Sequence, residues 1–559
     1  MKKKFYIYIL CFIIFQSCHY IPFTKYFLPS AKTHFPRFSK WDEFKGSVNA
    51  YRSCYDITYY DWYVSVNPVE KSINAVMKLQ FKVVERQDSI MLDLQRHLKI
   101  NHIKSSYPLK KWKRKKDVLF LIFNQDLKLN ELIEVEISYQ GKPVNLLKEG
   151  PIQWKRDEND KPWISSQTEA VGPHFMMPCK DLLYDEPDSC SIHVGVPNDL
   201  VGVANGKLDS VSINKNEKVY HWSVKNPINV YNISFNVGDF VKIEKDYVDI
   251  EGVQRQIQVY ALSYNKFKAN KYYDQTPLIM NHLEELFGVY PWWNDGCKFV
   301  ESTFSAMEHQ SAIAMGSEYQ NNWRDIDIIL AHELGHEWWG NNLTAFDYCD
   351  MWLHEGFAEY LDALIVERMY GEEDYNQLVR SFTYGTVNKR AVLKPCGVRY
   401  NSWVNYKDLD IYSKGAALLH TLRRQLENDD LFFKILKAAQ IEFAKSNITA
   451  DEFIAFFNEK SGRDFSPYFD LYLKEINPPV LEYWFDPENN EAGTLHYRWA
   501  KEVPDNFKMK VKISVNDSLI SLNPTGVFQE YYLPFKDRVD FDIENFGYII
   551  TQEIKPGKR

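Results

Sequence analysis

The sequence predicts a multidomain α+β protein in which a β domain, an α-rich domain and a second β domain follow one another. Hydrophobic residues alternate with polar ones from Cys54 to about Tyr260, as in strands that are buried on one face. From about Asn265 the hydrophobic period becomes that of a helix, and alternation returns after Pro478-Pro479. The length of 559 residues also exceeds the size of a single core, so about two to four domains are expected.

The predicted boundaries follow from these changes of period. We expect an N-terminal β domain at 48–260, an α-rich domain at 261–478 and a C-terminal β domain at 479–559, preceded by a signal segment at 1–18 and a proline-containing tether at 19–47.

The N-terminus has the pattern of an export signal. Lys2, Lys3 and Lys4 are followed by an apolar run of eleven residues, 5–15, which is too short to span a bilayer. The run ends in FQSC, where Cys18 follows a small residue and resembles the lipid-attachment cysteine of a bacterial lipoprotein, although Phe15 stands where an aliphatic residue is usual. We expect export to the cell envelope of a bacterium and attachment to the outer membrane through a lipidated Cys18. Simple cleavage and an uncleaved anchor are the alternatives.

Short alternating runs predict the strands of both β domains. In the first domain these runs are Met77, Leu79, Phe81 and Val83, and then Ile133, Val135, Ile137 and Tyr139. In the last domain they are Phe507, Met509, Val511, Ile513 and Val515, before a turn at Asn516-Asp517-Ser518.

A basic run, Lys110-Lys111-Trp112-Lys113-Arg114-Lys115-Lys116, lies between strand-like segments of the first domain. Such runs can mark nucleic-acid-binding or nuclear-import sites. The chain carries a formal net charge of −8 and an export signal, so nucleic acid is not an expected partner. We predict a solvated hairpin tip, with contact to anionic lipid headgroups as the alternative.

Helices are predicted by capping signals in the middle of the chain. The segment QTPLIMNHLEELFG is expected to form a helix that ends at Gly288. Thr449 and Glu452 form a capping box in front of a further helix.

The cysteines do not indicate a metal site. The six that follow the signal segment include no CxxC pair, which argues against cysteine-ligated zinc; they are Cys54, Cys179, Cys190, Cys297, Cys349 and Cys396. We expect buried thiols and one possible disulfide, whose partners the sequence does not identify.

The stretch LAHELGHEWWGN (330–341) places His332 and His336 four residues apart, with Glu333 directly after the first. Residues four apart lie on the same face of a helix, so the two imidazoles can reach one metal ion while Glu333 projects to the side. We expect the helix to begin near 325–327 and to end at Gly340. A motif of this length also arises by chance, so alone it only suggests a metal site.

A third candidate ligand follows after an interval of eighteen residues. Glu355 lies in MWLHEGFAEYLDALI, which predicts another helix, and the connection 341–350 allows two antiparallel helices to bring it to the histidines. A catalytic zinc uses three protein ligands, of which His₂Glu is one known set, and keeps a fourth position open for water. The sequence therefore predicts one Zn²⁺ per chain.

Together, HELGHEWWGN and WLHEGFAEY resemble the aminopeptidase N family of gluzincin metallopeptidases, in the same superfamily as leukotriene hydrolase. Three further segments resemble the family in the same order: QTEA at 167–170 followed by PCKD, SAMEHQ at 305–310, and YSKGA at 412–416. The resemblance implies a saddle-shaped antiparallel β domain, a thermolysin-like α-rich catalytic domain and a small C-terminal β-sandwich-like domain. The long helical C-terminal domain of larger members is not expected.

The resemblance also implies an activity, that of a zinc aminopeptidase acting on peptides with a free N-terminus. The implied zinc ligands are His332, His336 and Glu355, with Glu333 as the general base and Tyr412 as the hydrogen-bond donor to the oxyanion. Glu308 and Glu169 would place negative charge opposite the substrate ammonium group. The same pocket would be lined by Gln167, Ser305, Ala306 and Met307.

Three residues depart from the family pattern. Ser305 replaces a glycine, and His309 replaces an asparagine in the exopeptidase motif. His354 replaces an asparagine in front of the zinc glutamate; we expect it to be structural and do not expect His309 to be a ligand. The first two departures leave the side-chain preference of the substrate open.

Two alternatives therefore accompany the leading interpretation. An endopeptidase or another zinc hydrolase is one, since a branch of the family also opens an epoxide. Glu169 favours the peptidase, because the epoxide-opening member has glutamine there. A non-catalytic surface binding protein is the other, but the presence of Glu333, Tyr412 and all three ligands argues against it.

Overall fold

The computed structural model describes residues 39–144, 151–169, 171–215, 217–316, 318–393, 396–397, 409–487, 492–515, 518–533, 540–541 and 546–554. The predicted signal segment with Cys18, most of the predicted tether, Ala170 and the turn residues 516–517 lie outside these ranges. Among the helices of the described part, none has both the length and the apolar character needed to cross a membrane.

The N-terminal unit is built of strands, as the period-two alternation predicts. They are β1 (Tyr55–Asn67), β2 (Ser72–Val83), β3 (Ser89–Asp93), β4 (Lys99–Ser105), β5 (Leu109–Lys115), β6 (Val118–Phe123), β7 (Leu132–Gly141), β8 (Ile152–Arg156), β9 (Pro162–Ser166), β10 (Ser189–Val196), β11 (Val201–Ala204), β12 (Lys207–Ile213), β13 (Lys218–Val224) and β14 (Phe235–Gly238). They form a seven-stranded sheet in the order β12-β13-β10-β1-β2-β7-β4, a four-stranded sheet β11-β14-β9-β8 and a three-stranded sheet β3-β6-β5. The predicted inward-facing residues of β2 and β7 are buried in one hydrophobic cluster.

Two short helices precede the first strand, α1 (Lys40–Gly46) and α2 (Ala50–Ser53). The prediction that the tether extends to residue 47 is therefore wrong for its last part. Ser39 and Asp42 form a capping box that starts α1. The ring of Phe44 on α1 stacks on Phe120 of β6 at 6.5 Å, which attaches this segment to the three-stranded sheet.

The basic run at 110–116 differs in part from its prediction. Residues 110–115 belong to strand β5 at the edge of the three-stranded sheet, and Lys116 lies in the turn of the β5–β6 hairpin. The pairing of β5 with β6, from Leu109↔Phe123 to Lys115↔Val118, explains the difference, because β6 is apolar enough to hold a polar partner strand on the sheet. The lysine side chains remain exposed.

The central unit combines helices with a mixed sheet. Its helices are α3 (Lys266–Tyr272), α4 (Thr276–Phe287), α5 (Ile328–Gly335), α6 (Trp352–Tyr370), α7 (Glu372–Gly385), α8 (Asp410–Leu426), α9 (Asp429–Glu442), α10 (Ala450–Ser461) and α11 (Ser466–Phe469), and its strands are β15 (Phe240–Val248), β16 (Gln254–Leu262), β17 (Cys297–Glu301), β18 (Ala306–Met307), β19 (Ile313–Met315), β20 (Leu343–Ala345) and β21 (Ser446–Ile448). The predicted capping box at Thr449 and Glu452 starts α10. Gly288 ends α4 at a φ of 101°, a conformation that favours glycine.

The sheet topology moves the first domain boundary. We predicted a boundary at residue 260, but β15 and β16 belong to the sheet β15-β16-β17-β19-β18 of the central unit. β16 pairs in parallel with β17, from Ile257↔Cys297 to Tyr260↔Val300. Alternation cannot distinguish a strand that joins the following sheet from one that ends the preceding sheet, so the division falls near residue 239.

The C-terminal unit packs on the central helices. Its strands are β22 (Val480–Pro487), β23 (Gly493–Trp499), β24 (Val511–Val515), β25 (Ser518–Leu522), β26 (Gln529–Leu533), β27 (Asp540–Phe541) and β28 (Ile550–Glu553), in sheets β26-β23-β22-β28 and β25-β24-β27. Phe507 and Met509 are buried but precede the strand that we predicted from them. Residues of β22 to β26 share a hydrophobic cluster with the central unit. The Tyr548 N–H also donates to Thr421 Oγ1 on α8 at 3.0 Å.

One disulfide joins Cys349 to Cys396, with Cα atoms 5.1 Å apart. The described cysteines that are not in a disulfide are buried, namely Cys54, Cys179, Cys190 and Cys297. The expectation of buried thiols with a single disulfide is confirmed for the described part of the chain.

Candidate metal centre and active site

Helix α5 and the residue that caps its C-terminus carry the two histidines of the HELGH motif. Asp327 caps its N-terminus, since its side chain accepts a hydrogen bond from the Ile329 N–H at 2.9 Å. His332 and His336 lie one turn apart with ring centroids separated by 4.8 Å, and both are buried. The helix ends at Gly335, earlier than predicted, because the next residues tighten to i→i+3 hydrogen bonds, as from the Trp338 N–H to the Gly335 carbonyl at 3.0 Å.

Glu355 reaches both histidines from the first turn of α6. Its Oε2 lies 3.7 Å from His332 Nε2 and 3.5 Å from His336 Nε2. Donor atoms on a tetrahedral zinc lie roughly 3.4 Å apart, given metal–ligand distances of about 2.1 Å. The three side chains therefore fit one zinc ion with a fourth position left for water or substrate.

The other ring nitrogen of each histidine is held by an oxygen atom. His332 Nδ1 lies 3.1 Å from Asp362 Oδ2, and His336 Nδ1 lies 2.9 Å from the Trp339 carbonyl oxygen. Each Nδ1–H donates to its partner, which directs the Nε2 lone pair towards the metal position. Asp362 was not among the residues predicted from the sequence. Its place seven residues after Glu355, two turns along the same helix face, is the signal that would have identified it.

Glu333 lies between the two histidines in sequence and is 2% exposed. Its Oε2 has no hydrogen-bond partner among the described residues. Burial raises the pKa of Glu333 to about 8, and a dication beside it would act in the opposite direction and favour the carboxylate. A buried carboxylate oxygen without a partner next to the metal position is suited to accept a proton.

A close helix contact brings Tyr412 to the same place. A Cβ atom built on Gly356 of α6 would lie 2.9 Å from the Cα of Gly415 on α8, so the backbones touch at this glycine pair. Tyr412 lies one turn before Gly415, and Glu355 directly precedes Gly356. The Tyr412 ring stacks 6.2 Å from the ring of His332. Its pKa lies well above the ordinary value because the hydroxyl is buried and faces the Glu355 carboxylate.

Two further carboxylates stand beside the metal ligands. Glu169 follows β9 of the N-terminal unit, and Glu308 follows β18 of the central unit. One carboxylate oxygen each of Glu169, Glu308 and Glu355 lie within 4.8 Å of one another, and all three side chains are buried. Three buried carboxylates at this distance repel one another unless a cation lies among them. A metal ion at the ligand set would supply positive charge next to Glu355. The ammonium group of a ligand is suited to supply positive charge next to Glu169 and Glu308.

Glu308 is oriented by a chain of hydrogen bonds that the sequence analysis missed. The Tyr231 hydroxyl donates to Glu308 Oε1 at 3.0 Å and lies 3.5 Å from His354 Nδ1. His354 Nε2 accepts the Ala345 N–H at 2.8 Å, and burial lowers the pKa of His354 to about 3. A neutral ring that accepts at Nε2 carries its proton on Nδ1 and donates towards Tyr231. Tyr231 was one of 36 tyrosines, and no motif that we recognised contains it.

The asparagine that ends the WWGN segment holds the backbone of Glu308. Asn341 Nδ2 donates to the Glu308 carbonyl at 3.0 Å and to Glu337 Oε2 at 3.1 Å. Gly340 precedes it with a φ of 135°, and a Cβ atom there would lie 3.2 Å from His336 Nδ1. The segment after the second histidine therefore connects the metal ligands to the carboxylate pair.

The predicted pocket residues 305–307 lie next to Glu308. Ala306 and Met307 form β18, which pairs with β19 through Met315 and Ala314. The Ser305 carbonyl accepts the Gly316 N–H at 2.6 Å. Ser305 is not among the described residues with positive φ, so the backbone at this position does not need the glycine that the family has there.

Gln167 is the last of the predicted pocket residues, and His309 is one of the residues that depart from the family pattern. Gln167 Nε2 lies 3.5 Å from Met307 Sδ, which places it against the same strand. The His309 ring is buried, and neither of its nitrogen atoms has a hydrogen-bond partner among the described residues. Burial lowers the pKa of His309 to about 3, so the ring is neutral. It does not belong to the described ligand group of His332, His336 and Glu355.

Two family models match the chain, one over the central unit and one over the N-terminal unit. The peptidase family M1 domain matches residues 274–472, and the peptidase M1 N-terminal domain matches residues 57–231. Leukotriene A-4 hydrolase of Xenopus laevis is 25% identical over 349 residues, which are 57% of this chain and 54% of that protein. Aminopeptidase B of Mus musculus is 26% identical over 433 residues, which are 69% of this chain and 61% of that protein. The chain thus spans less than two thirds of the length of these relatives.

The fold is also similar to solved structures. A crystal structure of an M1 zinc metallopeptidase from Deinococcus radiodurans superposes with a TM-score of 0.64 at 20% sequence identity, covering 76% of this chain and 95% of that one. A mutant of this metallopeptidase bound to a Tyr-Ser-Ala substrate gives a TM-score of 0.63 at 18% identity, covering 76% of this chain and 94% of that one. At these identities the likeness shows a shared fold.

Proposed function

The chain belongs to the peptidase M1 family, and we propose that it is a zinc-dependent aminopeptidase that releases residues from the free N-terminus of peptides. One observation carries the proposal. The buried carboxylates Glu169 and Glu308 stand directly beside the His332, His336 and Glu355 ligand set. A ligand set alone would support hydrolysis of many substrates. The added carboxylate pair selects for a substrate whose N-terminus carries a positive charge.

Zinc at the ligand set supplies Lewis acidity and makes a water molecule at the site more acidic. Glu333 accepts the proton of the attacking water with its unpartnered oxygen and returns that proton to the departing amine. The Tyr412 hydroxyl donates a hydrogen bond to the oxyanion that develops on the scissile carbonyl. Glu333 is buried and Tyr412 is partly buried next to Glu355, where electrostatic interactions are weakly screened.

The carboxylate pair determines where the peptide is cut. Glu169 and Glu308 bind the ammonium group of the first residue, so the scissile carbonyl is one residue away and meets the ligand set. An N-acetylated peptide lacks the positive charge and leaves the two carboxylates unpaired, which costs binding free energy.

The test uses the chain from residue 19 onward with short peptides that carry either a free or an acetylated N-terminus, each with and without a zinc chelator. Release of single residues from free peptides only, abolished by the chelator, is the expected result. Equal cleavage of acetylated peptides would identify an endopeptidase. Binding of zinc without cleavage of either peptide would identify a binding protein.

We also propose that the chain is exported and attached to the bacterial outer membrane through a lipidated Cys18, on the basis of the apolar run at 5–15 and the FQSC segment. Metabolic labelling with a fatty-acid analogue in a bacterial host tests this. Label is expected on the full chain and not on Cys18→Ser. Equal labelling of both chains, or of neither, contradicts the attachment.

A further inference from the structure

The basic run forms an exposed strand whose lysines have no ion-pair partner among the described residues. We define the lysine strand as Lys110, Lys111, Lys113, Lys115 and Lys116, on β5 and in the turn after it. All five side chains are exposed, and the described ion pairs do not include them. Asp117, which directly follows Lys116, is already paired with Arg96 at 2.9 Å. The strand is therefore a concentrated positive charge on a chain whose formal net charge is −8.

An aromatic residue is interleaved with these lysines. Trp112 is 43% exposed at the edge of the sheet, and its cross-strand partner Leu121 is buried. Successive residues of a strand point to opposite faces, so Trp112 lies on the face opposite to Lys111 and Lys113 and does not belong to the lysine-bearing face.

The N-terminal end of the described chain lies beside the same strand. Helix α1 packs over the outer face of the three-stranded sheet, where Lys115 Nζ lies 4.2 Å and Lys116 Nζ 5.8 Å from the centroid of the Trp41 ring. Phe120, which α1 contacts through Phe44, is the cross-strand partner of Lys113, so the two share one face. Twenty residues separate Cys18 from residue 39, which limits their distance to about 70 Å in any conformation.

We propose that the lysine strand forms a membrane-contacting surface that binds the anionic phospholipid headgroups of the bilayer to which the chain is attached. Lys111, Lys113 and Lys115 share a face of the three-stranded sheet with Phe120, and α1, through which the chain enters the fold, packs on that same face. This inference rests on the proposed attachment at Cys18, but not on the proposed peptidase activity. It also extends that attachment, because a basic surface next to a lipid anchor fixes the orientation of the protein on the bilayer.

Protection of an edge strand is the competing explanation for the lysines. β5 is the outer strand of its sheet, and lysines on such strands prevent pairing with another chain. The two explanations differ in what the loss of charge would change, namely binding to vesicles in one case and self-association in the other.

The test measures co-sedimentation of the chain from residue 19 onward, which retains every described residue but lacks the anchor. The vesicles contain phosphatidylglycerol and phosphatidylcholine in equal amounts, or phosphatidylcholine alone. Lys110→Gln/Lys111→Gln/Lys113→Gln removes charge but keeps the contacts of Lys115 and Lys116 with Trp41. Lys266→Gln/Lys268→Gln/Lys271→Gln is the matched control, because α3 has three exposed lysines beside Phe267, which is 81% exposed.

The original chain and the control are expected to bind the anionic vesicles only, and less at high salt. The lysine-strand variant is expected to bind about 100-fold more weakly, since each lysine near an anionic surface contributes roughly a factor of five. Hydrolysis of soluble peptides is expected to be the same for all three chains, so a failed peptidase test leaves this test valid.

Three results would overturn the proposal. They are absence of binding by the original chain, equal loss of binding in the two variants, and self-association of the lysine-strand variant with unchanged vesicle binding. The last of these would assign the lysines to protection of the edge strand.

Discussion

Substitution of Tyr231 by phenylalanine tests how the carboxylate pair is oriented. Tyr231→Phe keeps the ring in its buried position and removes only the hydroxyl group that donates to Glu308 Oε1 at 3.0 Å. A hydrogen bond to a charged group contributes about 1.5–3 kcal/mol, which corresponds to roughly 10- to 150-fold in an equilibrium constant. Glu308 would lose its fixed orientation and bind the substrate ammonium group more weakly.

We therefore expect KM for a free peptide to rise about tenfold or more, with a much smaller change in kcat. The ammonium group is bound equally in the ground state and the transition state, so its loss affects KM first. The assay is steady-state kinetics on a short peptide with a free N-terminus.

Tyr139→Phe on β7 is the matched control. Its hydroxyl is also buried and donates to the Met176 carbonyl at 2.9 Å. Both variants are expected to lose a similar amount of stability in thermal unfolding, but only Tyr231→Phe is expected to change KM. A KM within twofold of the original value, or a fall in kcat alone, would refute the assigned role of Tyr231.

Three other outcomes are expected. Glu333→Gln should lower kcat by about 10²- to 10⁴-fold without loss of bound zinc, as measured by kinetics and metal analysis; retained activity would exclude Glu333 as the base. Asp362→Asn should weaken zinc binding by about 10- to 100-fold, seen as inactivation at lower chelator concentration, and chelation should also lower the unfolding temperature until zinc is restored. Unchanged chelator sensitivity would remove Asp362 from this role. Cys349→Ser/Cys396→Ser opens a loop with a sequence separation of 47 residues, so stability should fall by up to about 4 kcal/mol; an unchanged unfolding temperature would show that the disulfide adds no stability.

The order of the units and the ligand spacing could be predicted from the sequence because both depend on local patterns. Alternation identified β2 and β7, and the i, i+4 spacing identified the two histidines on one helix face. The boundary near residue 239 could not be predicted, because it depends on which strand β16 pairs with. The strand character of 110–115 was missed because lysine has a low preference for strands, and its partner strand β6 decides the conformation.

The residues of the site likewise fall into those that a sequence motif predicts and those that only the packing of the chain reveals. Residues within recognised motifs could be assigned in advance, as for Glu308 and Tyr412. Tyr231 could not, because its contact with Glu308 joins residues 77 positions apart and depends on the packing of two units. The contact between Gly356 and Gly415, which brings Tyr412 to Glu355, is likewise visible only in three dimensions, although both glycines lie in the motifs.

Selection for a free amino terminus is tested most directly by kcat/KM for a peptide and for its desamino analogue, in which hydrogen replaces the α-amino group. The original chain is compared with the Glu308→Gln variant, both loaded with zinc. The original chain is expected to prefer the free amine by at least about 100-fold, since leaving a buried charge without its partner costs about 3–5 kcal/mol, and the variant is expected to lose most of that preference. Equal cleavage of both peptides by the original chain, or a preference that survives in Glu308→Gln, would contradict the assignment of the carboxylate pair to the substrate ammonium group.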